Sequence, residues 1–75
     1  MNQTIETFAR QAITDGLSAL PAENQRIFKL MYARNKGKRS VEDAVLLSVE
    51  ETVAEIPSEK LDWALQQIEN TIKKH

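Results

Sequence analysis

Side chains that could act on a substrate are scarce in this chain. Its one histidine is His75, the last position, and it has no cysteine. Histidine acid–base chemistry, thiolate nucleophiles, disulfides and thiolate metal sites therefore lack their usual carriers. Glu50, Glu51 and Glu55 lie close enough on one helix to suggest metal ligands. Helical di-metal sites, however, pair glutamates with Glu-x-x-His, and that motif is missing, so the acids read as a solvated face. No glycine-rich phosphate loop, nucleophile elbow or zinc spacing is present. The expectation is a non-enzymatic chain without metal or cofactor.

What remains is the chemistry of binding. Arg34, Lys36, Lys38 and Arg39 crowd one short segment and could hold phosphates without regard to sequence. Equally, Arg34 and Lys36 would complement the C-terminal dipole of the preceding helix. Glu42 and Asp43 dilute the positive field, and a net charge of −1 gives no overall pull towards nucleic acid. The helix after this segment opens Val-Glu-Asp, whose acids would repel phosphate, which argues against a helix-turn-helix.

Trp63 is the second candidate. Leu61, Ala64, Leu65, Ile68 and Ile72 form one apolar stripe, and Trp63 lies about 200° around from Leu61, at about 100° per residue. Its neighbours there are Glu59, Gln66 and Asn70. Tryptophan is enriched at interface hot spots. Trp63, Gln66, Gln67 and Asn70 thus form a candidate protein-binding strip, unless Phe28 or Tyr32 packs on the indole. Leu46 and Leu47 widen the apolar stripe of their helix and add a second candidate surface for a partner chain or a homodimer.

These side chains need elements to place them, and those elements are helices. The chain is 75 residues with two glycines and two prolines, and it is rich in good helix formers. A first helix is expected over 3–20, capped by Asn2 or Thr4. Its stripe runs through Ile5, Phe8, Ala9, Ala12, Ile13, Leu17 and Leu20. Asp15-Gly16 is a turn signal inside it, but a continuing helix in which Gly16 lets another helix approach is the simpler reading. Pro21 opens a second helix ending near Lys36 and Gly37. Its inner stripe is Ile27, Leu30 and Met31, with Phe28 and Tyr32 beside it. Ser40 and Ser48 both read as caps. Residues 40–56 are one helix or a short helix followed by another, and the stripe through Val41, Ala44, Val45, Val49, Val53 and Ile56 favours one. Pro57 starts the last helix, which ends at Lys73 and Lys74.

The sum is an all-α single domain over 1–75, a small four-helix bundle with short loops. The expected core is Ile5, Phe8, Ala12, Ile13, Leu17, Ile27, Leu30, Met31, Val45, Val49, Val53, Leu61, Leu65, Ile68 and Ile72. No stretch approaches the roughly 20 apolar residues of a membrane span, and the N-terminal residues lack a signal-peptide pattern. A cytoplasmic protein is expected.

Pro57, Lys60, Leu61, Asp62, Trp63, Ala64, Gln66 and Gln67 resemble a stretch of small uncharacterised bacteriophage and prophage accessory proteins. Phe28-Lys29-Leu30-Met31-Tyr32 is similar to an upstream segment of the same group. The resemblance covers the last two thirds of the chain, although this sequence is longer between Asn35 and Ser48. It implies a phage-type accessory protein in a bacterial host cell, binding and modulating a host or phage protein. The alternative is a small nucleic-acid-binding regulator using residues 34–39. Salt separates the two: phosphate binding by four bases falls steeply from low to physiological salt, by about a hundredfold or more, and filter binding of a random duplex at two salt concentrations measures it.

Overall fold

The computed structural model describes residues 3–35 and 39–73. The expectations placed on Asn2, Lys36, Gly37, Lys38, Lys74 and His75 lie outside the described residues. Within them the chain is all-α: α1 (Gln3–Ala19), α2 (Ala22–Asn35), α3 (Val41–Ala44), α4 (Val49–Glu55), a 3-10 turn (Ser58–Lys60) and α5 (Leu61–Lys73).

The first helix runs unbroken through Asp15-Gly16. At Gly16 α5 comes close: a Cβ built there would stand 2.8 Å from Cγ2 of Ile68. The Ser58 hydroxyl lies near enough to the Glu6 carboxylate to lower its pKa. Ten residues further along each chain segment, Gly16 meets Ile68, so α1 and α5 run parallel. The other flank of α1 packs on α4, where Nη1 of Arg10 donates to the Val53 carbonyl at 2.8 Å. At its C-terminus, the Gln25 side-chain amide donates to the carbonyls of Ser18 and Leu20 at 3.3 and 3.0 Å.

Three expectations about helix boundaries change. Pro21 precedes α2 rather than occupying its first position, and its carbonyl accepts the Gln25 amide at 3.0 Å. Thr4 is inside α1 and not its cap. Residues 40–56 form two helices, not one. Ser40 caps α3 by accepting the Asp43 amide. The Ser48 hydroxyl accepts the Glu51 amide at 3.1 Å, while the Glu51 carboxylate accepts the Ser48 amide at 2.9 Å. This reciprocal box satisfies two otherwise unpaired donors and restarts the helix, which outweighs the continuity of the apolar stripe. The described residues thus hold five α-helices where four were expected.

The core is Ile13, Leu17, Leu20, Phe28, Tyr32, Val53, Ile56, Leu61, Ala64 and Ile68, with Ala9, Val49, Trp63 and Leu65 packed around it. Of the expected members, Ile13, Leu17, Val53, Leu61 and Ile68 are buried. Leu30, Met31, Val45, Val49 and Leu65 are half-buried. Ala12 is exposed, and so are Ile5, Phe8, Ile27 and Ile72. On α2 the reason is rotation. Turning by one residue, about 100°, exchanges Ile27 for Phe28, and the two rings of Phe28 and Tyr32 remove more apolar area from water than the aliphatic stripe would. α2 packs on α3 and reaches α5 through these rings.

Gly16→Ala tests the close approach. Alanine gains about 1 kcal/mol of helix propensity over glycine. Overpacking costs about 1–3 kcal/mol, and Cγ2 of a β-branched side chain cannot swing aside alone. A net loss of up to about 2 kcal/mol in chemical denaturation is expected. The loss should shrink in an Ile68→Leu background, where the branch moves away from Cβ.

Candidate interaction surfaces

Trp63 sits where α5 meets α2. Its ring centroid lies 5.9 Å from that of Phe28 and 6.3 Å from that of Tyr32, tilted by 38° and 41°. Tilted aromatic pairs at this range contribute about 0.5–1.5 kcal/mol beyond their buried area. The indole is half-buried rather than projecting. Beside it Gln66 and Asn70 are exposed and Gln67 is half-buried. The Gln67 carbonyl accepts the Thr71 hydroxyl at 2.9 Å. The strip of Trp63, Gln66, Gln67 and Asn70 therefore borders the α2–α5 seam, with its polar members outward and its aromatic member leaning in.

Leu46 and Leu47 occupy the turn between α3 and α4. Leu46 is 81% exposed, the most exposed of the large apolar side chains. Leu47 is half-buried, and Nζ of Lys29 donates to its carbonyl at 2.6 Å. The turn is fixed from three sides, by the Ser40 cap, the Ser48 box and Lys29. Leu46 is thus an apolar group presented on an anchored backbone.

Of the four bases, Arg34 is exposed in the last turn of α2, and Lys36 and Lys38 lie outside the described residues. Arg39 forms an ion pair with the Glu55 carboxylate. Half-exposed pairs of this kind contribute roughly 0–1 kcal/mol, but the pairing takes one charge from the segment. Glu51 works in its own cap and Glu55 in this pair. Among the described residues no group of three or more His, Cys, Asp or Glu could hold a metal, and no helix is long and apolar enough to cross a membrane.

Sequence reasoning missed the hydrogen bonds that tie the helices together. Nε and Nη2 of Arg10 donate to the Glu6 carboxylate at 3.2 and 2.8 Å while Nη1 reaches α4. The Arg10 hydrogen bonds, then the Ser58 hydroxyl, hold the Glu6 carboxyl below its ordinary value. The i, i+4 spacing of Glu6 and Arg10 was the available signal, but it does not reveal a third partner on α4. The Tyr32 hydroxyl donates to the Glu55 carbonyl at 3.1 Å. Burial, then the Glu55 charge, pushes the Tyr32 phenol up. Lys29, Tyr32, Arg39, Leu47, Thr52 and Glu55 line a crevice between α2 and α4 with about 10 Å³ of free space, room for roughly one water.

Comparison with protein-family models, with curated proteins and with solved structures finds no match to this chain.

Tyr32 is the chain's one tyrosine, so tyrosinate absorbance reads it alone. Its folded-state value is raised above 10.0, so the folded chain holds this proton more tightly than the unfolded one. Its contribution is complete below pH 10 and is lost as pH rises through the folded value. A native midpoint above 10.0, returning towards it in denaturant, is expected. Tyr32→Phe should remove that part of the alkaline loss of stability.

Proposed function

We propose that this chain is a non-enzymatic protein–protein interaction module, a phage-type accessory protein that binds and modulates a host or phage protein in the bacterial cytoplasm. One observation carries the reading: Leu46 stands 81% exposed on a turn whose backbone is held by two serine caps and a lysine. An apolar anchor on a rigid backbone loses little conformational freedom on binding, and interfaces draw affinity from such preorganisation. Leu47 and the strip of Trp63, Gln66, Gln67 and Asn70 extend the contact area. The five helices are read as a small bundle in which α3 and α4 together take one place. The likeness of residues 57–74 to small phage proteins supplies the cellular setting. It also favours a protein partner over nucleic acid, because the basic segment lies outside the shared pattern and Arg39 is paired with Glu55.

A tagged pull-down from bacterial lysate, run with and without nuclease, tests this. One dominant protein that survives nuclease is the expected result. Leu46→Asp should lose it while helicity stays at wild type, since the side chain is exposed. The pair Gln66→Ala and Asn70→Ala should weaken capture without unfolding the domain, whereas Trp63→Ala also removes two ring contacts. Capture only of nucleic-acid-associated proteins that vanish with nuclease would transfer the function to residues 34–39.

A further inference from the structure

Apart from Leu46 and Ile27, the large apolar side chains left open to water among the described residues fall on the outer side of the α1–α5 pair. Phe8 is 70% exposed, Ile5 58% and Ile72 52%. At about 100° per residue, Ala12 and Phe8 lie roughly 40° and 80° to one side of Gly16, while Ile13 and Arg10 lie on the other, towards the core and α4. On α5, Ile72 and Leu65 lie roughly 40–60° to one side of Ile68, and Trp63 lies far to the other side, towards α2. Because the helices run parallel, these two flanks turn in opposite senses from their contact and open onto the same outer seam. Ile5 is level with Pro57, before α5 begins, which is why no helix covers it. From Ile5 to the level of Ile72 the stripe spans about 22 Å at 1.5 Å per residue, roughly four helical turns.

The rim of this stripe is acidic. Asp15 borders it on α1, and Asp62 and Glu69 on α5, all exposed. Lys73, in the last turn of α5, is the base on that side. A second copy docking through the same face would set these acids against their counterparts, and like charges across an interface cost affinity. The complementary occupant is a helix with one apolar face and lysines or arginines along its edges, laid in the seam with its apolar anchors at i, i+3, i+4 and i+7.

We propose that the α1–α5 seam, built on Ile5, Phe8, Ala12, Leu65 and Ile72, docks a basic amphipathic helix of a partner protein. The proposal rests on the interaction-module reading and names the chemistry of its partner, on a surface distinct from Leu46 and the Trp63 strip.

The test is fluorescence anisotropy of a labelled amphipathic peptide of leucine and lysine against the full chain, with a leucine–glutamate peptide as control. The lysine peptide should bind and the glutamate peptide should not. Phe8→Ser, at an exposed position, should weaken binding about tenfold or more with an unchanged circular dichroism spectrum. Asp62→Lys with Glu69→Lys should do the same. Glu50→Ala, at an exposed position on α4 away from the seam, should bind as wild type. Equal binding of both peptides, or binding indifferent to Phe8→Ser, overturns the seam. The Leu46→Asp pull-down result stands or falls independently. The exposed face of α2 itself carries Arg26, Ile27 and Arg34. Sedimentation showing growth with concentration that Phe8→Ser abolishes would assign the seam to a second copy docked head to tail, and so overturn the assignment to a different protein.

Discussion

The fold turns on how one short helix finishes its hydrogen bonds. α4 has seven residues, too few to persist alone in water, and Pro57 prevents it from continuing. Its last carbonyls must be satisfied by something else. Arg10 on α1 joins the Ile56 amide at the Val53 carbonyl, and Tyr32 on α2 takes that of Glu55. Lys29 does the same for Leu47 at the turn before α4. Long-range hydrogen bonds to backbone carbonyls thus tie α1 and α2 to one central segment. Thr52, buried there, returns its hydroxyl to the Ser48 carbonyl. No buried side-chain polar atom among the described residues lacks a partner, as a small core requires, since an unsatisfied buried group costs about 1–3 kcal/mol.

This arrangement also decides what stays outside. α1 spends one flank on α4, through Arg10, and another on α5, through Gly16. Its apolar stripe is broader than these two neighbours can cover, so Ile5 and Phe8 are left in water. In α2 the opposite happened: the aromatic residues turned inward and Ile27 turned out.

The all-α class was legible in composition and periodicity, and so was the continuity of α1 through Gly16, because one interior glycine is a small cost. The Ser48 box was legible too, and its weight against the stripe was misjudged. A hydrophobic stripe records which residues are apolar, not which neighbours exist to cover them. That is why Ile5, Phe8 and Ile72 read as core. Packing of Phe28 or Tyr32 on Trp63 was a stated alternative, and the rings are in contact. The ties from Arg10, Lys29 and Tyr32 to distant carbonyls were not legible, since a backbone acceptor leaves no mark in the sequence. For the candidate surfaces, side-chain type pointed to Leu46 and Trp63, but only the fold distinguishes a leucine held out on a braced turn from an indole leaning on its neighbours.

The contact of Trp63 with Tyr32 has an optical consequence. They are the chain's only tryptophan and tyrosine, and their rings lie 6.3 Å apart. Excitation absorbed by the phenol passes to the indole at such a separation, so the folded protein emits as tryptophan alone. Tyrosine emission returns only when α2 and α5 part. The chain therefore carries a built-in spectroscopic ruler across one seam, readable without a label.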